Sequence, residues 1–339
     1  MPGTVRIAGA GLAGLTAATV LARSGVPVEV FDKKTALLPS SGAHTEGIRN
    51  YGTMDAVKEL SSLGFPVAPF QTVQRTIRHS PNFENTLRGP AYYLFMRGRE
   101  EHTVDQILYR EAKDHGVRFH FRHTLDASEA DIFASGPPRG RFNILGAGHT
   151  FSAEGSDMAM DTVHALLDNR VAPAGYLVIT PGLGFHSIYS VSWKELRFEK
   201  LLSTTEAAFE IPWIRRILGK SRRISKINGR AFYVEDPIAG AVHGGTLYIG
   251  EAGGFQDAIA GFGFRYAVLT ASLAAIAIRD GQDFRDLLKE KFGAEFHEAY
   301  QFRNWLNGAT NDDLDKLVAS MGREIGLEEY LRQRGSRAL

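Results

Sequence analysis

Gly9, Gly11 and Gly14 form a G-x-G-x-x-G array, and Asp32 ends a second apolar run about 20 residues further on. Residue types in that order suit one task, holding an adenine dinucleotide. The first glycine permits a tight turn out of a strand, the second lets backbone approach a pyrophosphate, and the third lets the following helix pack against the strand. The unpaired N–H groups and the positive dipole end of that helix favour the phosphates. A carboxylate at the end of the next strand is placed to accept hydrogen bonds from ribose hydroxyls. The array does not by itself decide between NAD and FAD.

The elements that must position these residues are legible around them. An apolar run at Val5–Ala8 leads into the glycines, a helical pattern covers Leu15–Arg23, Ser24-Gly25 breaks it, and Val26–Phe31 reads as the second strand. Lys33–Gly47 is rich in turn residues and reads as a loop that carries His44 and Glu46 past the cofactor. A helix is predicted over 53–64, strands within 65–95, an amphipathic helix over Val104–His115 and a strand over Val117–Phe121. Ala130–Gly136 reads as a short buried strand that ends in a small-residue turn. A further glycine pair, Gly146-Ala147-Gly148, has Phe151 where a third glycine would stand, so it reads as a turn and not a second dinucleotide site.

Three short strand patterns follow, at Thr162–Leu167, Tyr176–Thr180 and Ser187–Trp193. Residues 211–226 hold Arg215, Arg216, Lys220, Arg222, Arg223 and Lys226 without an acid. They read as a solvated face, with a docking surface for an anionic substrate as the alternative. The second informative stretch is Thr246–Arg279. A short strand enters Gly250-Glu251-Ala252-Gly253-Gly254, Gly261 and Gly263 follow, and an apolar helix starts near Phe264 with its N-terminus towards whatever the glycines approach.

Hydrophobic residues make up 44% of the chain and charged residues 23%, and the net charge is 39 − 38 = +1. Nothing here steers the chain towards nucleic acid. The absence of cysteine excludes disulfides, thiolate metal sites and a dithiol couple. The stretch 258–278 is apolar apart from Arg265 and Tyr266, and its unbroken apolar part, Ala267–Ile278, falls short of the ~20 residues of a membrane span. With a first strand at residue 5, no targeting segment is expected, and the expected location is cytoplasmic.

Together these pieces resemble the FAD-dependent oxidoreductases of the para-hydroxybenzoate hydroxylase fold, and within it the geranylgeranyl reductase-related branch. The resemblance rests on four places. They are the N-terminal fingerprint with Asp32; Arg97-Gly98 ahead of a helix bearing Asp105 and Leu108; Pro173, Gly175, Tyr176 and Pro181, similar to P-x-G-Y-x-x-x-x-P; and Tyr248–Gly263 with its helix, similar to G-D-A-A-G … G-x-G-I. The chain departs from the pattern in three ways. Glu251 replaces the usual Asp, Ala134-Ser135-Gly136-Pro137-Pro138 lacks the hydroxylases' Asp, and no cysteine follows the ribose acid.

The resemblance implies an α/β fold. Its discontinuous Rossmann-like FAD-binding domain would span 1–65, 97–150 and 237–285, with an inserted mixed-sheet substrate domain at 66–96 and 151–236 and a helical tail at 286–339. Gly9, Gly11, Leu12, Ala13 and Gly14 would hold the pyrophosphate, with Gly250 and Glu251 at the ribityl side. Asp32 and Lys33 would lie at the adenosine ribose, and Leu125 at the adenine. Gly42, Arg97, Gly136, Gly261, Phe262 and Gly263 would complete the cofactor set. No acid–base catalyst and no metal ligand is assigned. The implied function is FAD-dependent reduction or dehydrogenation of a small apolar, aromatic or prenyl-like substrate, with peripheral membrane contact where that substrate is a lipid. Two alternatives stand beside it. One is a flavin monooxygenase with NAD(P)H as transient electron donor, the other a flavin-binding accessory protein without turnover.

Overall fold

The computed structural model describes residues 3–37, 42–52 and 54–336, so part of the Lys33–Gly47 loop, residues 38–41, lies outside the described residues. In chain order the first half contains β1 (Val5–Ala8), α1 (Leu12–Arg23), β2 (Val28–Asp32), β3 (His44–Arg49), α2 (Ala56–Ser62), β4 (Gln71–His79) and β5 (Glu84–Arg97). Then come α3 (Val104–Asp114), β6 (Arg118–Phe121), β7 (Ile132–Phe133), β8 (Ile144–Ser152), β9 (Thr162–Leu166), β10 (Tyr176–Pro181) and β11 (Phe185–Ser192). The remainder holds α4 (Phe198–Ala207), α5 (Pro212–Leu218), β12 (Arg223–Ala231), β13 (Val242–His243), β14 (Thr246–Tyr248) and α6 (Phe264–Asp280). It closes with α7 (Phe284–Phe292), α8 (Glu295–Gly308), α9 (Asn311–Ala319), β15 (Glu324–Gly326) and α10 (Leu327–Ser336).

Two sheets organise the molecule. The smaller has the order β13-β14-β7-β1-β2-β6, parallel except for the β13 edge. The chain builds β1, β2 and β6 to one side, then crosses over and builds β7 and β14 on the other. The strand order therefore reverses between β1 and β7, and such a switch point leaves a crevice at the carboxyl ends of the strands. Every residue of α1 from Leu12 to Ala22 is buried, which explains why its sequence has no polar face. It packs with α3 and α6 in the main core, which includes Leu15, Leu21, Leu108, Leu269 and Leu273.

The larger sheet is mixed, with the order β12-β8-β11-β10-β9-β4-β5-β15, and β3 pairs with the C-terminal end of β5, beyond the residues that β15 joins. Here the structure corrects two sequence expectations. His44–Arg49 is a strand and not loop, because it pairs antiparallel with the far end of the long β5, His44 opposite Arg97. Gly146-Ala147-Gly148 lies inside β8 and is no turn. Its glycine serves a close approach across strands, since a Cβ on Gly148 would stand 2.2 Å from the Ile188 carbonyl oxygen. The tail is helical, as expected, and the three-residue β15 within it adds a parallel edge strand to β5. Both β3 and β8 thus join the larger sheet.

The Gly148 contact makes a test. Gly148→Val should destabilise by about 3 kcal/mol or more, because the clash is with fixed backbone. Gly229→Val on the edge strand β12, where an added Cβ meets nothing within 4 Å, should stay within about 0.5 kcal/mol of the parent. Urea unfolding midpoints of the two variants check both values, and similar midpoints would contradict the β8–β11 packing.

Candidate functional site

The register of the parallel sheet aligns three strand ends. Ala8 pairs with Phe133 and Phe133 with Tyr248, so Gly9, Ala134 and Ile249 leave the sheet at one level. Gly9 has φ +106°, and a Cβ there would lie 2.4 Å from the Ala134 carbonyl oxygen. A Cβ on Gly14 would lie 1.9 Å from the Gly9 carbonyl oxygen, so the third glycine lets α1 start directly against its own turn. Gly250 has φ +54°, and a Cβ on it would come 3.0 Å from the Ala13 Cβ. The two glycine turns, distant in sequence, are therefore in contact.

Gly11 is different. It caps α1 in extended conformation, and a Cβ there would meet nothing within 4 Å. Gly42 and Gly136 are equally open, Gly136 with φ +79°. Protein packing does not require glycine at Gly11, whereas a ligand lying over the helix N-terminus does, and this is the test by which the turn fits a dinucleotide. Leu12 and Ala13 begin α1 and are buried.

Asp32 is 8% exposed and ties the second strand to the turn. Its Oδ2 accepts the Ala10 N–H at 2.8 Å and its Oδ1 the Lys34 N–H at 2.8 Å. A carboxylate oxygen has more than one acceptor direction, so capacity remains for ribose hydroxyls. Lys33 is exposed, and Leu125 is buried with Ala8, Phe31 and Ala130 beside the β2 end.

Arg97, at the end of β5, is held by two carboxylates. Its Nε and Nη2 donate to Asp105 at 2.7 Å each, and its Nη1 donates to Glu46 Oε2 at 2.9 Å. Asp105 is fully buried at the start of α3, and Glu46 lies on β3, so one guanidinium fastens three elements. Burial would raise the Glu46 carboxyl, but Arg97 and His44 outweigh it and hold that group at about 2. Glu251 has no such cation. Burial pushes its carboxyl up to about 7, against the lowering effect of the Phe232 N–H that it accepts at 2.8 Å, and the nearby Glu46 charge adds to the rise.

Ahead of α6 the chain makes a compact loop. Asp257, 2% exposed, accepts the Ile259 and Ala260 N–H groups through Oδ1 and pairs with Arg49 at 2.7 Å through Oδ2. Gln256 Nε2 donates to the Gly261 carbonyl at 3.0 Å, and Gly261 has φ +74°. A Cβ on Gly263 would lie 2.4 Å from Gln256 Oε1, so this glycine keeps the loop closed. Tyr176 donates its hydroxyl to the Ala260 carbonyl. From α8, Arg303 donates to the Ala174 carbonyl at 2.7 Å and the Ile259 carbonyl at 3.2 Å, with its guanidinium over the Trp193 ring.

A cavity of about 1070 Å³ opens beside this loop. Thr45, Gly47 and Phe262 line it on the side of the glycine turns, the face of the larger sheet forms one wall, and α8, α9 and α10 form the other. A Cβ on Gly47 would stand 3.4 Å from both Leu94 and Phe262, which leaves a flat floor. This volume lies at the upper end of the ~300–1,000 Å³ usual for small-molecule sites. The Gly9–Gly14 turn and Glu251 are not among its lining residues.

The structure thus brings the two glycine turns, Asp32 and Leu125 to the strand ends, and places Phe262 on the cavity wall, while Gly261 faces Trp193 and Ile144. Sequence reading missed Arg49, Arg78 and Arg303. For Arg303 a signal existed, because it takes a buried position of the α8 stripe with Phe296 and Ala299. Among the described residues no group of His, Asp and Glu forms a metal site, and no helix is long and apolar enough to cross a membrane.

Comparison with known proteins agrees with this geometry. Residues 3–153 match the family model of the FAD binding domain. Among curated proteins no sequence match was found. A geranylgeranyl bacteriochlorophyll reductase-like protein from Thermoplasma acidophilum has a similar structure, with TM-score 0.75 and 17% identity over 99% of this chain and 100% of that one. A flavin-dependent brominase aligns with TM-score 0.64 and 17% identity over 97% and 92% of the two chains. A 2-methyl-3-hydroxypyridine-5-carboxylic acid oxygenase aligns with TM-score 0.54 and 17% identity over 91% and 94%. At these identities the likeness establishes the fold, which is that of the para-hydroxybenzoate hydroxylase type, and FAD is the cofactor of the N-terminal domain.

The Glu251 environment predicts a pH effect. A carboxyl raised from 4.5 to about 7 binds more protons folded than unfolded between those values, so stability present at low pH is lost as pH rises through that window. Chemical denaturation of the cofactor-free protein at about pH 5 and about pH 8 should show this loss, and Glu251→Gln should shrink it. An unchanged pH dependence in that variant would refute the assignment.

Proposed function

We propose that this chain, whose residues 3–153 carry an FAD binding domain, is an FAD-dependent oxidoreductase acting on a small molecule with an apolar or aromatic body. One observation carries the reading. The two glycine turns meet at the carboxyl ends of β1, β7 and β14, and the adjoining cavity is lined beside Gly47 and Phe262 by Leu94, Val163, Val178, Tyr176 and Tyr189.

In this reading the α1 N-terminus at Gly11, with Gly9 and Gly14 shaping the turn, holds the pyrophosphate. Asp32 receives the adenosine ribose, and Gly250 and Glu251 border the ribityl chain. Gly261, Phe262 and Gly263 border the ring. FAD supplies two-electron redox chemistry when bound. The chain's own residues do the rest. Arg97, neutralised by Asp105 and Glu46, fastens β3 and β5 beneath the ring site rather than offering a free charge. Arg49 with Asp257, and Arg303 with two carbonyls, fix the loop that separates cofactor from substrate. The apolar sheet face excludes water from the reacting groups.

Reduction or dehydrogenation is the leading reaction, and NAD(P)H-dependent oxygenation the alternative. Anaerobic turnover of an apolar substrate favours the first; NAD(P)H consumption that needs both oxygen and substrate favours the second.

The purified protein should absorb as a flavoprotein and release FAD on denaturation. Gly11→Val should fold normally, since its side chain enters open space, yet bind FAD about tenfold or more weakly. Gly14→Val should instead fail to fold, because its Cβ meets backbone at 1.9 Å. Flavin absorbance together with circular dichroism separates the two effects. A fully flavinated Gly11→Val protein would displace the phosphates from this turn.

A further inference from the structure

The cavity has an end remote from the glycine turns, and the groups there are unlike those elsewhere on its wall. Thr76 and Arg78 are two apart on β4, so both face the same side of the sheet, and both line the cavity. Thr76 is 2% exposed, and its Oγ1 is buried without a hydrogen-bond partner. Nη2 of Arg78 is buried in the same condition. The guanidinium lies over the Tyr330 ring of α10, 4.6 Å from its centroid, and its Nη1 donates to the Met321 thioether.

No described carboxylate pairs with Arg78, whereas the other cations on this wall, apart from the solvent-exposed Arg332, are balanced or bound. Arg49 pairs with Asp257, Arg265 with Glu59 and Glu295, and Arg303 donates to two carbonyls. Of the remaining acids on the wall, Glu298 and Glu328 are exposed to solvent. Tyr51 and Tyr92 stand next to Arg78, with their hydroxyls 3.1 Å apart. Burial raises both phenols, which therefore stay neutral. A half-buried cation with no carboxylate partner and an unused buried Nη2, next to a buried hydroxyl that makes no hydrogen bond and beside neutral phenols, offers donors that suit an anion.

The position of this end is set by a run of rings. Phe262 packs on Tyr92 at 5.9 Å, Tyr92 on Tyr51 at 5.6 Å, and Tyr51 on Tyr330 at 5.5 Å, and Arg78 lies over the last ring. The apolar side chains of Val163, Ala165 and Leu94 line the wall as well.

We propose that Arg78 and Thr76 bind an oxyanion headgroup, carboxylate or phosphate, at one end of the substrate, whose apolar body runs along the sheet face towards Phe262. This inference rests on the flavoenzyme reading and narrows its substrate class to amphipathic anions. Arg78 and Thr76 act as binding residues and take no part in the redox step.

The test uses the FAD-loaded protein and four probes in titration calorimetry: decanoate, decyl phosphate, decanamide and decanol. The wild type should bind at least one of the two anions about tenfold or more tightly than either neutral probe, and added salt should weaken only the anion. Arg78→Met should bring anion affinity down to the neutral level and leave decanamide unchanged, with Arg78→Lys between the two. Should Arg78→Met fail to fold, Thr76→Val should still weaken the anion by about threefold without affecting the amide. Preference between decanoate and decyl phosphate identifies the headgroup. Equal affinity for charged and neutral probes, or full anion affinity in Arg78→Met, would overturn the proposal. Flavin absorbance is read in the same samples, so a protein that takes up no FAD refutes the cofactor reading separately from the anion site.

Discussion

The level at which three parallel strands end is the constraint on which the rest of the molecule depends. Because Ala8, Phe133 and Tyr248 share one row of the sheet, the turns that follow them must crowd together. Side chains there would collide with carbonyl oxygens, which is why Gly9 and Gly14 cannot carry a Cβ. The crowding also aims the N-terminus of α1 into the crevice left by the reversal of strand order between β1 and β7. Gly11 is the exception, since nothing in the protein fills the space beside it.

A second theme is the use of buried guanidinium groups as fasteners. Arg97 gathers Asp105 and Glu46 and so joins β5, α3 and β3. Arg49 does the same for β3 and the loop ahead of α6, and Arg265 for α2, α6 and α8 through Glu59 and Glu295. Each burial is costly unless the charge is matched and its N–H groups are used. Arg303 meets that condition with carbonyls in place of a carboxylate, and burial pulls it down to about 10. Against this pattern the Arg78 end of the cavity stands apart.

The tail has more to do with the site than its charged composition suggests. Through β15 it extends the larger sheet, through Arg303 it clasps the loop at Ile259, and through α10 it covers part of the cavity wall. The cavity is therefore a product of both sheets' edges and the last helices together, and no single segment encloses it.

What the sequence by itself determined is the local chemistry of the turns. The spacing of Gly9, Gly11 and Gly14, with Asp32 at the end of β2, follows from constraints within one β-α-β unit, so it can be read without knowing the rest. The same holds for the strand-glycine-helix pattern at Thr246–Arg279, and the resemblance then joined the two into one FAD-binding fold. Tertiary structure decided the remainder. His44–Arg49 became a strand because β5 offered it a partner, and Gly148 sits within a strand because Ile188 passes close by. Arg97 was legible as a residue but not as the partner of Asp105 and Glu46. Thr76 and Arg78 carried no local signal of a shared cavity, and the stripe of α8 marked Arg303 as buried without naming its partners. Their roles arise from pairings and packing between segments far apart in the chain, and such contacts are fixed only when the whole core closes.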